Sequence, residues 1–349
     1  MIITLIYFVL ILGLIVLVHE FGHFFFAKLF GIYVYEFAIG MGPQIFHWKS
    51  KKSETEYSIR AIPIGGFCSL AGEDVTADDE SNIPKDRRLN AKPVWQRFLV
   101  MFFGAGNNFI LAILILFIIG LGWGAVSNDA IITDLVKEGP AETAGLEVGD
   151  KILKINNHKI KSNDDVSIYI QIESKDKPIT FMVDRNGEEK EIQVKPVKDE
   201  VDGNTIYRVG IISEGEVSHG VLASIKYAFT KMGSLYRQMI ITLKGLFSGG
   251  LSVKQLSGPV GIYNVVGSQR TAGFQNILYL IALLSINVGF INLLPFPAFD
   301  GGRILFLVIE KIKGSPVSPE LENKIHTVGF ILLLILMIYI TFNDILRFF

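Results

Sequence analysis

Four stretches of this chain are apolar over lengths that suit a membrane crossing, which takes about 20 consecutive residues. They run over residues 2–26, 98–126, 277–294 and 328–342, and each predicts a spanning helix. Between the first two the pattern changes. Tyr33-Val34-Tyr35-Glu36-Phe37 and Glu56-Tyr57-Ser58-Ile59-Arg60 are β-branched and aromatic, and Gly40, Gly42, Pro43, Pro63, Gly65 and Gly66 punctuate them as turns. Residues 33–70 are therefore expected to form a small sheet, either cytoplasmic or dipping into the membrane beside a site. The acidic residues 71–88 are expected to be an exposed loop.

From residue 127 to 213 the pattern is that of a soluble domain. Gly139-Pro140-Ala141 and Ala144-Gly145-Leu146 predict a short helix leading into a strand at Lys151-Ile152-Leu153-Lys154-Ile155. Residues 178–183 and 191–194 read as paired strands around Arg185-Asn186-Gly187. The string Gly139-Pro140-Ala141, Ala144-Gly145-Leu146, Gly149-Asp150 and Ile155-Asn156 resembles a PDZ domain. Residues 220–247 show apolar positions at helical spacing, with Lys226, Lys231, Arg237 and Lys244 on another face. They predict an amphipathic helix lying on the membrane or against the PDZ-like module. The expected organisation is thus a membrane region at 1–126, a PDZ-like insert at 127–213, a helical linker at 214–276 and a second membrane region at 277–349. The fold class is a polytopic α-helical membrane protein of about four spans, with a small membrane-associated β-sheet and an inserted PDZ-like domain.

Composition agrees with that reading. The 349 residues are 50% hydrophobic and 19% charged, where a soluble domain averages about 25% charged. A net charge of −1 gives no basis for nucleic-acid binding, and the single Cys68 excludes an internal disulfide. The first span lacks the basic start and small-residue cleavage site of a removable signal peptide. Ten Lys and Arg lie between the first two spans and four between the last two. That asymmetry orients both termini and the PDZ-like segment away from the cytoplasm.

Two polar motifs interrupt the apolar runs. His19-Glu20-Phe21-Gly22-His23 reads H-E-x-x-H, which on a helix puts both imidazoles on one face to share a Zn2+ ion. Glu20 is then placed as a general base toward zinc-bound water. Two histidines satisfied inside a helical bundle are the alternative, and an expensive one, because a carboxylate at membrane depth costs a few kcal/mol unless paired or coordinated. A catalytic zinc needs a third protein ligand, and position 29, where a soluble relative of the motif carries His, is Leu29. Of the other histidines, His158 and His219 fall in the outer segment, and His47 and His326 in polar connections. Asp300 is better placed, in Asn292-Leu293-Leu294-Pro295-Phe296-Pro297-Ala298-Phe299-Asp300-Gly301-Gly302. The prolines break the helix, the glycines permit close backbone approach, and irregular backbone at membrane depth survives only when buried in protein or lining a cavity. The alternative is an Asp that merely caps the next helix.

Taken together, the H-E-x-x-H helix, the PDZ-like segment and residues 292–302 resemble the bacterial site-2 proteases, of the single-PDZ regulator-of-sigma-factor type. The resemblance implies His19, His23 and Asp300 as zinc ligands, Glu20 as catalytic base, and Asn292 near the reacting carbonyl. It departs at Phe299, where the family has Leu, and at Gly104-Ala105-Gly106-Asn107-Asn108, which lacks the family's proline. It implies regulated intramembrane proteolysis of single-span proteins in the bacterial cytoplasmic membrane, such as anti-sigma factors or remnant signal peptides, with an upstream site-1-type protease as a further partner. Ile62, Gly65, Gly66 and Phe67 are the expected substrate-binding edge, because a helical substrate must unwind and can then pair as a strand. A silent PDZ adaptor has no need of Glu20 or Asp300, and a metal transporter has no need of a general base.

Overall fold

The computed structural model describes residues 1–51, 53–73, 83–174, 177–201, 204–253 and 256–348. Part of the loop expected at 71–88, residues 74–82, lies outside the described residues. Two compact units emerge: Met1–Ala112 with Ile262–Tyr339, and Ile113–Gly261 with Ile340–Phe349.

The first unit begins with α1 (Ile2–Leu29), whose 28 residues reach about 42 Å at 1.5 Å per residue. Leu5, Leu10 and Phe25 are half or more exposed on it, as side chains facing lipid would be. Next come β1 (Val34–Lys49), β2 (Glu56–Leu70) and α2 (Val94–Trp123). β1 and β2 each fold back on themselves, so residues 34–39 pair with 66–70 on one side and with 56–59 on the other. Residues 44–49 then pair with 56–60. The bends fall at Gly40, Gly42 and Gly65, with φ of +88°, +82° and +87°, a region that glycine alone enters without cost. Ile59 is consequently paired on both sides, to Ile39 and Phe46. Ile59 is therefore interior to the sheet, and the open edge of β2 lies beyond it, where Gly66 and Phe67 pair with Ile39 and Ala38. Gly22 allows α1 to approach α2: a Cβ there would lie 1.9 Å from the Phe103 carbonyl oxygen.

The second unit has its own core around Phe181, Ile155, Ile179 and Leu146. Its elements are β3 (Ala125–Val126), β4 (Asp134–Leu135), α3 (Pro140–Thr143), β5 (Lys151–Ile155), β6 (His158–Lys159), α4 (Asn163–Glu173), β7 (Ile179–Arg185), β8 (Glu188–Val194), β9 (Val197–Val201), β10 (Asn204–Arg208), β11 (Ile211–Ile212), β12 (Val217–Ser218) and α5 (Val221–Phe247). The main sheet runs β6-β5-β7-β8. Asn186 and Gly187, both at positive φ, form the tight β7–β8 turn, as two-residue hairpins require. α5 packs on α4: Lys231 Nζ donates to both Asp164 oxygens at 2.8 Å, and Ser234 Oγ to one of them at 2.7 Å. Arg237 donates to Ser162 Oγ. Of the two placements expected for this amphipathic helix, Lys231 and Arg237 thus show the one against the 127–213 segment.

Four helices complete the chain: α6 (Pro259–Ala272), α7 (Phe274–Asn292), α8 (Asp300–Lys313) and α9 (Pro319–Phe348). Among the described residues, α1, α2, α7 and α9 are long and apolar enough to cross a membrane, so the chain is a mostly helical membrane protein with small sheets. α2 and α9 extend past the apolar windows read from sequence. Their polar first turns, Gln96-Arg97 and Glu320-Leu321-Glu322, still form helix. α7 stops at Asn292, three residues before Pro295.

Asp150, fully buried, holds the second unit's sheet to the α3 turn. Arg185 donates to its two oxygens at 2.7 Å and the Glu147 N–H donates at 3.0 Å. Burial works against the charged form, but these donors hold the carboxyl below its ordinary range. Arg185→Ala should destabilise this unit by about 3–5 kcal/mol, because it strands a buried carboxylate. The pair's contribution is present above the unfolded pKa of about 3.9 and lost as pH falls through the lower folded value. Asp150→Asn should therefore flatten the acid limb of the unfolding profile. Protease susceptibility of the segment against temperature and pH checks both, and an unchanged profile in either variant contradicts the assignment.

Candidate metal centre

One turn of α1 carries His19 and His23 on the same face, both 8% exposed, with Nε2 atoms 3.3 Å apart. The third group arrives from a distant part of the chain. α7 ends, the chain turns through Pro295 and Pro297, and Asp300 opens α8. Gly301 and Gly302 make that turn possible: a Cβ on the first would lie 2.2 Å from the Leu294 carbonyl oxygen, and on the second 2.5 Å from that of Phe296. Asp300 Oδ2 stands 3.3 Å from His19 Nε2 and 3.4 Å from His23 Nε2. Among the described residues this is the cluster whose donor atoms converge closely enough for a metal.

The triangle fits a tetrahedral ion. Ligands at roughly 2.0–2.2 Å from zinc lie about 3.3–3.6 Å from one another. Asp300 Oδ2 is buried and has no hydrogen-bond partner, which leaves an acceptor that a cation would satisfy. Gly104 of α2 supplies the room, because a Cβ there would lie 2.2 Å from His23 Nε2 and 3.0 Å from Asp300 Oδ2.

Neighbours orient the imidazoles. His23 Nδ1 donates to the Val100 carbonyl at 2.9 Å, so its Nε2 lone pair faces the cluster. The Asn108 amide lies 3.4 Å from His19 Nδ1, and Ser285 Oγ of α7 donates to the Asn108 carbonyl at 2.9 Å. Ligation through His19 Nε2 needs the amide oxygen of Asn108 turned to the Nδ1 proton, a 180° rotation of the same planar group. Asn107 Nδ2 is engaged elsewhere, with the Val18 carbonyl at 3.4 Å. The glycine-asparagine string of α2 was the one signal of this supporting shell in the sequence; the Val100 carbonyl carried none.

Glu20 lies one residue along α1 and meets β2. The backbone of Cys68 lies beside its carboxylate, and Gly66 brings the strand against it, with its missing Cβ 3.7 Å from Glu20 Cγ. Of the expected substrate-binding residues, Gly66 is thus at the site. Phe67 is covered by the Arg60 guanidinium at 4.7 Å. Gly65 turns under Met41, and Ile62 is paired with Met41 and exposed. Asn292 points back into its own helix, Nδ2 donating to the Val288 carbonyl at 3.0 Å. His326 lies inside α9 rather than in a polar connection, and His47 lies in β1.

Known proteins resemble this chain over nearly its whole length. Residues 7–336 match Peptidase family M50. A Fusobacterium nucleatum protein, FN1322, is 41% identical over 348 residues, covering 98% of each chain. The regulator of sigma-W protease RasP of Bacillus subtilis is 34% identical over 423 residues, covering 99% of each. The zinc metalloprotease RasP of Geobacillus kaustophilus is 33% identical over 419 residues, covering 99% of this chain and 98% of the relative.

Gly104→Ala is expected to abolish metal binding, since its methyl group would occupy the ligand triangle. Gly122→Ala on the same helix, where a Cβ meets nothing within 4 Å, should leave it intact. Metal content after dialysis in a zinc buffer measures both, and a fully loaded Gly104→Ala protein would contradict the site.

Proposed function

The chain belongs to peptidase family M50, and on that premise we propose that it is a zinc metallopeptidase that cuts membrane-embedded polypeptides. The observation that carries this reading is the ligand triangle of His19, His23 and Asp300, with Glu20 one residue away, on helices whose surroundings are apolar. His19 Nε2, His23 Nε2 and one Asp300 oxygen hold the ion. Zinc held there would supply a water of lowered pKa and polarise the scissile carbonyl. Glu20 takes the proton from the attacking water and passes it to the leaving amine. The β2 strand at Gly66 lies against that side chain and limits its swing. Asn292 serves the reacting carbonyl, a role that requires its amide to leave Val288.

The substrates are single-span membrane proteins, anti-sigma factors or remnant signal peptides among them. A RasP relative is named for regulating a sigma factor, which supports that class. A spanning helix hides its carbonyls in its own hydrogen bonds, so it unwinds before cleavage. The β2 edge at Gly66-Phe67 receives it by strand pairing, since these residues take partners Ile39 and Ala38 on one side. The enzyme lies in the bacterial cytoplasmic membrane, with both termini and the 127–213 segment outside. An upstream site-1-type protease trims the substrate first. The 127–213 segment is PDZ-like and excludes substrates that still carry folded external domains. Its ends meet where β3 pairs with β12, Val126 opposite Val217, so it is excisable.

Glu20→Gln should keep its zinc and cut a single-span test substrate about 10²–10⁴-fold more slowly; cleavage near the wild-type rate would sink the reading. Deleting residues 127–213 should let the enzyme cut a version of that substrate bearing a folded external domain. If the bulky substrate stays uncut while the trimmed one slows, the segment captures substrate ends instead.

A further inference from the structure

The loop that delivers Asp300 is held by α9, a helix that supplies none of the three ligand atoms. Ala298, two residues before Asp300, has φ of +82°, a left-handed conformation that a residue with a Cβ adopts only when its surroundings enforce it. Its N–H donates to His326 Nδ1 at 3.1 Å. The preceding Pro297 rests on Gly329, where a Cβ would lie 2.4 Å from the proline Cβ and 2.8 Å from its carbonyl oxygen. His326 and Gly329 are three residues apart and so share a face of α9. Together they form a seat for the Pro297-Ala298 turn.

Packing on Gly329 covers one side of the turn; the other side is open. A cavity of about 940 Å3 opens beside the turn, lined by Ala298, Phe306 of α8, His326 and Phe330 of α9, and Leu89 and Met101 on its far side. The turn is closed on itself by the Phe299 N–H, which donates to the Phe296 carbonyl at 3.2 Å, a type II turn with Pro297 and Ala298 at its centre. The His326 bond takes up the outward-facing Ala298 N–H and ties that turn, and through it the start of α8, to α9. The His326 ring is itself set against Phe306 of α8, at 5.6 Å between centroids.

We propose that His326 is a positioning residue for the third metal ligand: by accepting the Ala298 N–H it holds the strained turn that aims Asp300 at His19 and His23. The proposal rests on Asp300 being a ligand, and it makes α9 part of the metal site without direct contact to the ion. The acceptor must branch from Cγ, so Asn, whose amide oxygen stands where Nδ1 does, is the conservative replacement. Gln carries its oxygen one bond farther out and is not.

The test compares full-length wild type with His326→Asn, His326→Gln and His326→Leu. Zinc affinity is read by competition with a chromophoric chelator, and ligand geometry by the visible spectrum of the Co2+-loaded proteins. Loss of an outer-shell partner typically lowers metal affinity about 10–100-fold. His326→Gln and His326→Leu are expected to show that loss and a shifted cobalt spectrum, with His326→Asn close to wild type in both. Equal affinity and spectrum in all four proteins would overturn the proposal, as would an Asn variant as impaired as Gln. Should the Leu variant fail to fold, the Asn and Gln pair still decides. Neither readout needs a substrate, so a wild type that binds zinc but cuts nothing would sink the protease reading and leave this result standing.

Discussion

Three acceptor atoms, two imidazole nitrogens and a carboxylate oxygen, face one another at 3.3–3.4 Å inside the first unit. Left alone, such a meeting of lone pairs in apolar surroundings is unfavourable twice over. An unmet buried acceptor costs about 1–3 kcal/mol, and a carboxylate in a membrane helix a few kcal/mol more. A divalent cation bound there would reverse both signs and so would be a condition of the local structure as well as its chemistry. The Val100 carbonyl and the Asn108 amide take up the hydrogen-bonding capacity on the far side of the two imidazoles.

Close backbone approach is the means by which distant segments reach that point. Gly22 and Gly104 remove side chains between α1 and α2, and Gly289 brings α7 to 3.0 Å, measured from its missing Cβ to the Ala105 carbonyl oxygen. Small residues at such crossings are how helices associate where lipid removes the hydrophobic driving force. Pro295, Pro297 and the two glycines after Asp300 serve the same end in the loop. The irregular backbone they create is tolerable at membrane depth where it lines a cavity, as Ala298 does.

What could be read in advance follows from how local each signal is. The His19–His23 spacing is a property of one helical turn, and Asp300 stood out because prolines and glycines broke an apolar run. The strand pair around Asn186-Gly187 was equally legible, since two residues define it. The starts of α2 and α9 were not, because the apolar windows begin at 98 and 328 whereas the helical backbone begins at Val94 and Pro319. The doubling back of β1 and β2 escaped for a different reason: Ile59 acquires its second partner from a residue that only tertiary folding brings near. Val100 acts through its carbonyl, which every residue possesses, and His326 looked like one more histidine in a polar stretch until Ala298 was seen at its Nδ1.

The claim at the centre of this account is the composition of the ligand set, and X-ray absorption at the zinc edge of the purified full-length protein tests it directly. The account predicts two imidazole nitrogens, from His19 and His23, and a carboxylate oxygen from Asp300, at roughly 2.0–2.2 Å. Replacement of Asp300 by Asn should alter the oxygen shell alone. A third imidazole in the wild-type spectrum, or a sulfur shell at about 2.3 Å from Cys68, would contradict it.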